Sequence, residues 1–466
     1  MTNQPKKATT RRKPAVLENK NIPVYFHSLE LENVLCFKDR QELKLSDSEG
    51  YPVQWTVILG NNGVGKTTLL RCLAGLEMRR DQFNSNEKHP IFFHLYSLYN
   101  LPDFSMRKDL ETMQNVGSEI SAIFVSGQPL SKIKIPQYTK KCKSHNIWIT
   151  VGHDFSGCDN DLEDLTCYGY GANRRMAVGQ ISLFNSLLSD TSESLFSDNA
   201  SLVNAEEWLL QSDYTVKSSS GKTQEKFQKR FNQIIEVLKK VLHEITDIHI
   251  SPADEDYPRP RAKFLTPYGW VYLTSLGMGY RTTISWMVDL VVRLFDRYPD
   301  SEDPLAEPAI VLVDEIDLHM HPQWQRTIME FLTERFPNTQ FIVTAHSPLV
   351  VQAAQDANIV LLRREGDRVI IDNNPEIIEN WRVDQVLTSV FEIPSARPPQ
   401  IEKLLAERQE ILTKPKLSKA DKAKLKELEA KIGTLPTAEN PEDIKAMDII
   451  RRAAKLLEKP VTEAVE

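Results

Sequence analysis

Residues Trp55 to Leu70 read WTVILGNNGVGKTTLL, and no other stretch limits the fold as much. An apolar, β-rich run, Trp55 to Leu59, feeds Gly60, Asn61, Asn62, Gly63, Val64, Gly65, Lys66, Thr67 and Thr68. An apolar helical pattern then continues through Leu76. This is G-x-x-x-x-G-K-[ST] between a strand and a helix, the context that separates a P-loop from a glycine turn. The glycines let successive backbone N–H groups face inward, and with the helix N-terminus these donors make an anion nest. Lys66 would add a cation at the β- and γ-phosphates, and the Thr67 hydroxyl is the Mg²⁺ ligand of such a loop. A nucleoside triphosphate is the expected ligand.

The bulk numbers set outer limits. With 466 residues, 41% of them hydrophobic, the chain can bury one large insertion-bearing domain or two to three smaller ones. It lacks an apolar run of about 18 residues, so no membrane span is expected. The polar N-terminus has no signal-peptide core, and five cysteines, an odd number, fit a reducing cytoplasm. Cys142, His145, Cys158 and Cys167 could be assembled into a zinc site, but their spacings match no standard pattern, and ordinary buried thiols are the expected reading. A net charge of −7 argues against a uniformly basic, DNA-coating surface.

Along the chain, residues 1–21 form a basic, apolar-poor arm, expected to be disordered. Residues 22–175 are read as the N-terminal lobe carrying the P-loop. Two strands, from Val24 to Leu45 with a turn near Phe37–Asp39, precede the loop. An antiparallel region built on Ile91–Leu98, Ile120–Val125 and Ile147–Val151 follows it. The repeat Tyr168-Gly169-Tyr170-Gly171 ahead of Arg174 and Arg175 is either a tight loop beside a polyanion or a strand-ending turn with surface arginines. Residues 176–262 are a helical insertion, with helices over Leu202–Leu210 and Thr223–Ile245. The second spans only about 35 Å at 1.5 Å per residue. Residues 263–392 form the C-terminal lobe, where apolar strands at Ala309–Val313 and Phe341–Val343 alternate with helices. That pattern predicts a parallel sheet covered on both faces. Residues 393–466 are a charged helical tail, with helices over Ile401–Leu412, Ser418–Ile432 and Pro441–Leu457.

Catalytic candidates sit at strand ends. Asp314 closes one apolar strand and suits Mg²⁺; Glu315 beside it suits orienting and deprotonating a water. His346 closes a neighbouring strand, within reach of a γ-phosphate. Ligands of open α/β sheets bind at the C-terminal strand ends, which favours this reading over a capping pair and a loop histidine.

With Walker A at Gly60–Thr67, Walker B at Ile310–Glu315, a D-loop-like Asp317–His321 and a switch-type His346, the chain resembles an ABC/SMC-type ATPase head. The resemblance implies an α/β P-loop NTPase fold of that type, with an antiparallel β subdomain, a short helical insertion and a C-terminal helical tail. It implies ATP and Mg²⁺ as cofactors, and a head-to-head dimer or higher oligomer closed by a signature loop acting in trans. Gly277, Gly279 and Arg281 occupy that signature position, with Gly277 where serine is usual. Gln180 is the candidate for the Q-loop glutamine.

Softer motifs point further: Gly169–Arg174, Ala205-Glu-Glu-Trp-Leu209, Asp314–Pro322 and Pro394–Pro399 are similar to the PtuA-type ATPase subunits of Septu anti-phage systems. That implies a regulatory ATPase controlling a separate HNH-type nuclease, with DNA reached through the complex. The sequence shows no clustered metal-binding carboxylates or histidines on a domain of their own, so cutting is expected from a partner. Asp254-Glu255-Asp256 reads as a solvated loop. The alternatives are a PARIS-type defence ATPase, an SMC-like DNA-repair ATPase, and an ATP-dependent scaffold without turnover.

Overall fold

The computed structural model describes residues 22–80, 88–90, 118–134, 143–151, 165–177, 191–242, 244–253, 258–354, 356–375, 382–391, 393, 398–413 and 418–432. The basic arm, Ile91–Leu98, Gln180, Asp254–Asp256, Pro394–Arg397 and the expected helix Pro441–Leu457 lie outside the described residues, as do Cys142 and Cys158.

The principal strands, in chain order, are β1 (Val24–Glu32), β2 (Gln41–Lys44), β3 (Trp55–Gly60), β4 (Ser118–Ser126), β5 (Lys143–Val151), β6 (Cys167–Tyr170), β7 (Asp247–Ser251), β8 (Arg261–Thr266), β9 (Gly269–Tyr272), β10 (Ala309–Val313), β11 (Thr339–Thr344), β12 (Asn358–Glu365) and β13 (Arg368–Asp372). The principal helices are α1 (Lys66–Gly75), α2 (Glu193–Phe196), α3 (Ala205–Ser218), α4 (Gly221–Val241), α5 (Met278–Arg297), α6 (Pro322–Arg335), α7 (Pro348–Ala353), α8 (Pro399–Leu412) and α9 (Lys419–Ile432).

Six strands form the central sheet in the order β13-β12-β3-β11-β10-β6. All neighbours are parallel except the β12–β13 hairpin at one edge. β3, β10 and β11 are buried at every position, as a parallel sheet covered on both faces requires. The α/β P-loop NTPase fold is therefore the fold of the described chain.

A second, antiparallel sheet, ordered β2-β1-β4-β5, contributes to the same core. Tyr25, Phe26, Leu29 and Phe124 join Leu69, Leu70 and Leu73 of α1 and Ile310, Leu312 and Ile342 of the central sheet. Gln340 ties the two sheets together. Its carboxamide accepts from the Phe26 N–H and donates to the Phe26 carbonyl, both at 2.8 Å, beside an irregularity in β1. That contact satisfies backbone groups that the broken ladder leaves without a partner.

The helical insertion departs from its expected bounds. α3 starts at Ala205, where Asn204 caps it by accepting from the Glu207 N–H at 3.1 Å, and runs on to Ser218. α4 begins at Gly221 and stops at Val241, because Leu242 leaves the helical region at φ −100, ψ 76. Leu242 and Ile245 stay buried in the turn that follows, so their apolar spacing mimics two more helical positions. At 21 residues α4 spans about 32 Å. Three antiparallel strands, β7-β8-β9, then lead into α5.

The chain divides into two compact units, Met1–Val386 and Leu387–Glu466. In the second, α8 and α9 share a small core of Leu404, Ile411, Leu425 and Leu428. No helix among the described residues is long and apolar enough to cross a membrane.

Candidate nucleotide site

The loop between β3 and α1 wraps the N-terminus of α1. Gly65 holds φ +92, and a Cβ there would stand 2.6 Å from Cys36 Sγ, so glycine is required twice over. The turn after β1 supplies Leu35 and Cys36, with Asn33 and Leu35 at positive φ, and Cys36 donates to the Val64 carbonyl at 3.6 Å. A cavity of about 410 Å³ opens there, lined by Leu35, Cys36, Asn62, Gly63, Gly65, Lys66, Thr67, Thr68, Asp314, Glu315 and His346.

Three strand ends are laced beneath it. Thr67 Oγ1 donates to Asp314 Oδ2 at 2.7 Å, and Thr344 Oγ1 donates to Asp314 Oδ1 at 2.6 Å. The Glu315 N–H donates to Thr344 Oγ1 at 2.7 Å. The Asp314 N–H donates to the Tyr170 carbonyl, and the Ile316 N–H to that of Thr344. His346 is set by its own N–H, which donates to the Asp317 carboxylate at 3.1 and 3.2 Å.

Glu315 and His319 both sit in the left-handed region, at φ 49 and φ 63. A non-glycine residue held there stores strain, and such residues gather at functional sites.

The electrostatics are those of two buried cations among three carboxylates. Lys66 is 6% exposed and donates to the Gly60 and Asn61 carbonyls at 2.8 and 2.9 Å. Burial holds its ammonium below the ordinary lysine value; Asp314, Glu315 and Asp317 pull it back up.

Arg174 is 4% exposed and is pushed down to about 10 by burial, against the same three acids. Its guanidinium donates to the Asp314 carbonyl at 2.6 Å and to that of Glu315. Arg174 is therefore a buttress under the Walker B turn. Of the two readings of the Tyr-Gly repeat, the strand ending in a turn is observed, but only Arg175 is on the surface, while Arg174 is buried. β6 sets Tyr168 and Tyr170 on one face, while Gly169 and Gly171 let α2 close on the other, where Ser194 Oγ donates to the Gly169 carbonyl at 2.8 Å.

The expected Walker A, Walker B and switch residues thus meet at one cavity, except Asn61, whose carbonyl receives Lys66 just outside the lining. Gly277, Gly279 and Arg281 do not line it. They lie at the start of α5, where a Cβ on Gly279 would meet the His319 carbonyl at 2.2 Å. Sequence reasoning missed Thr344, Asp317 as the partner of His346, and Leu35 with Cys36. Thr344 is legible as the polar residue that closes β11 and Asp317 as an acid in the turn after β10; an apolar pair in a turn carries no such signal.

A hydroxyl and one carboxylate oxygen converging beside an anion nest are hard donors, suited to Mg²⁺ held jointly with phosphate oxygens. Among the described residues no group of three or more His, Cys, Asp or Glu is placed to hold a metal ion.

Comparison with known proteins places the chain among ATPase-like sequences. A model described as "AAA domain, putative AbiEii toxin, Type IV TA system" matches residues 184–352, and one described as "AAA domain" matches residues 28–246. The chain is similar to the Septu protein PtuA of Bacillus mycoides (strain KBAB4), 24% identical over 88% of this chain and 50% of that protein. It is also similar to the Retron Vc95 probable ATPase of Vibrio cholerae serotype O1 biovar El Tor, 26% identical over 72% of this chain and 73% of that one. Among solved structures, an SMC head bound to the C-terminal winged-helix domain of ScpA aligns with 75% of this chain and 97% of its own, at 13% identity and TM-score 0.40. The chain spans about half the length of the PtuA protein it matches.

Proposed function

We propose that this P-loop chain binds and hydrolyses Mg-ATP and acts in the cytoplasm as the regulatory ATPase of an anti-phage assembly, controlling a separate nuclease subunit of HNH type. The observation that carries the reading is the 2.7 Å contact between Thr67 Oγ1 and Asp314 Oδ2, in a cavity also lined by Lys66, Glu315 and His346. Two similar proteins named as a Septu protein and a retron ATPase support the defence setting.

In this reading, Asn61, Asn62, Gly63, Gly65 and Thr68 cradle the phosphates through the loop, and Lys66 neutralises the β- and γ-oxygens. Thr67 and Asp314 hold Mg²⁺, which supplies charge neutralisation at the transferred phosphoryl group. Glu315 orients a water for in-line attack and takes its proton as the bond to the leaving ADP breaks. His346, fixed by Asp317, contacts the γ-phosphate. The start of α5, exposed at Gly277, Met278 and Arg281 and without an acid in its first turn, suits contact with the phosphate of a second copy.

Replacing Lys66 tests the site. Lys66→Ala is expected to remove ATP binding in calorimetry and to cut phosphate release at least ~100-fold, the scale of losing preorganised charge at a transition state. Unchanged turnover would sink the assignment. Gly277, in place of the usual serine, favours a scaffold without turnover as second reading; phosphate release by the wild type, alone and with a co-purified nuclease, separates the two.

A further inference from the structure

The sheet β7-β8-β9 has two unlike faces. Strand alternation and register put Ile248, Ile250, Ala262, Phe264 and Val271 on one side, where Ala262 and Phe264 are fully buried. The Ala262 N–H donates to Glu206 Oε1 of α3, which fixes that side against the helical insertion. The other side carries His249, Arg261, Lys263, Trp270 and Tyr272. Trp270 is 47% exposed, and Tyr268 in the adjoining turn is 95% exposed.

The groups on this outer face are already arranged in layers. The Arg261 guanidinium stands 3.9 Å from the Tyr272 ring centroid, and Lys263 Nζ 5.5 Å from the same ring. His249 meets Trp270 edge-on at 6.1 Å. Asp247, the acid that alternation puts on this face, is engaged by Lys239 at 3.4 Å. A cationic, aromatic face on a chain of net charge −7 is a local departure from the average.

We propose that this face binds single-stranded nucleic acid, with bases stacking on Trp270 and on the Tyr272–Arg261 layer and with Lys263 against the phosphates. Rings on which any base can stack, beside cations that track the backbone, are how proteins hold single strands without reading their sequence. Stacking selects the single strand. The base faces of a duplex are covered by their stacked neighbours, whereas the unpaired bases of a single strand can turn out onto aromatic rings. Trp270 and Tyr268 are the exposed rings here, and splayed bases have access to them.

The test is fluorescence anisotropy of the full chain with labelled single strands of about 20 nucleotides, DNA and RNA, and with the duplex of the same sequence. The wild type should bind a single strand, of either chemistry, more tightly than the duplex. Trp270→Ala should weaken that binding about tenfold or more. Lys263→Ala should weaken it uniformly across sequences and lower the salt slope by about one. If Trp270→Ala melts early, Lys263→Glu carries the test, with the same expected loss. Lys66→Ala should leave strand binding intact, so failure at the nucleotide site and failure here are told apart. The proposal is overturned if the wild type binds no strand, if it prefers the duplex, or if Trp270→Ala binds as the wild type does. It is equally overturned if Trp270→Ala lowers the sedimenting mass while strand affinity holds, which would make this face a contact between copies.

Discussion

Asp314 receives two threonine hydroxyls, one from the P-loop helix and one from the end of β11, and its own backbone carbonyl receives Arg174. Each hydrogen bond to a charged group contributes about 1.5–3 kcal/mol. Arg174→Ala removes one from Asp314 and one from Glu315, and it releases a turn in which Glu315 holds φ 49. The expected loss is roughly 3 kcal/mol of stability, read as a lower denaturation midpoint. A fall in turnover larger than the fall in ATP affinity should accompany it.

Lys66 gives a pH signature. Burial places its ammonium below the ordinary 10.5, and its charged form is the one a triphosphate needs. The protonated form prevails below that lowered value, so ATP affinity should be full there. It should fall as pH rises through the lowered value, beginning before 10.5 is reached. Titration of a fluorescent ATP analogue against pH reads this; an affinity unchanged up to 10.5 would contradict it.

Among the elements, the ones most legible in the sequence were those whose local chemistry and tertiary role agree. β3 and the P-loop, β10 ending in Asp314, and β11 ending near His346 are apolar runs closed by polar or glycine residues, and a covered parallel strand has no other way to look. Helix α4 was legible as an element and misread at its ends, because Leu242 and Ile245 keep helical spacing while packing in a turn. α3 was cut short at Leu210 because Ser212 and Asp213, the positions that carry its buried face on from Leu209 to Val216, are polar. The Tyr-Gly repeat could not be resolved from sequence. Its glycines answer to α2, about 25 residues away, and its arginine answers to Asp314 and Glu315, about 140 away.

α5 carries the element-scale prediction. At its second residue, Gly279, any Cβ would strike the His319 carbonyl at 2.2 Å, and His319 belongs to the D-loop-like segment that continues from Glu315. Backbone cannot yield as a side chain tip can, so Gly279→Ala must part α5 from that segment. Its melting temperature should fall by several degrees, and turnover should fall more than ATP affinity does. Normal melting together with normal turnover would show that the two segments are not mechanically joined.

At the scale of the molecule, the central sheet brings the two halves of the site together from distant parts of the sequence. Thr67 and Asp314 are 247 positions apart, and β11 stands between β3 and β10 to make them neighbours. The core around α1 is shared by the central and antiparallel sheets, so the nest, the acids and the histidine sit on elements that unfold together. Lys66, Thr67, Asp314, Glu315 and His346 are proposed to serve one triphosphate. The most direct measurement is Glu315→Gln, with ATP affinity and phosphate release measured on the same preparation. Loss of a general base costs about 10²–10⁴ in rate. Glu315→Gln is expected to bind ATP as tightly as the wild type and to release phosphate at least about a hundredfold more slowly. Release at the wild-type rate would contradict it.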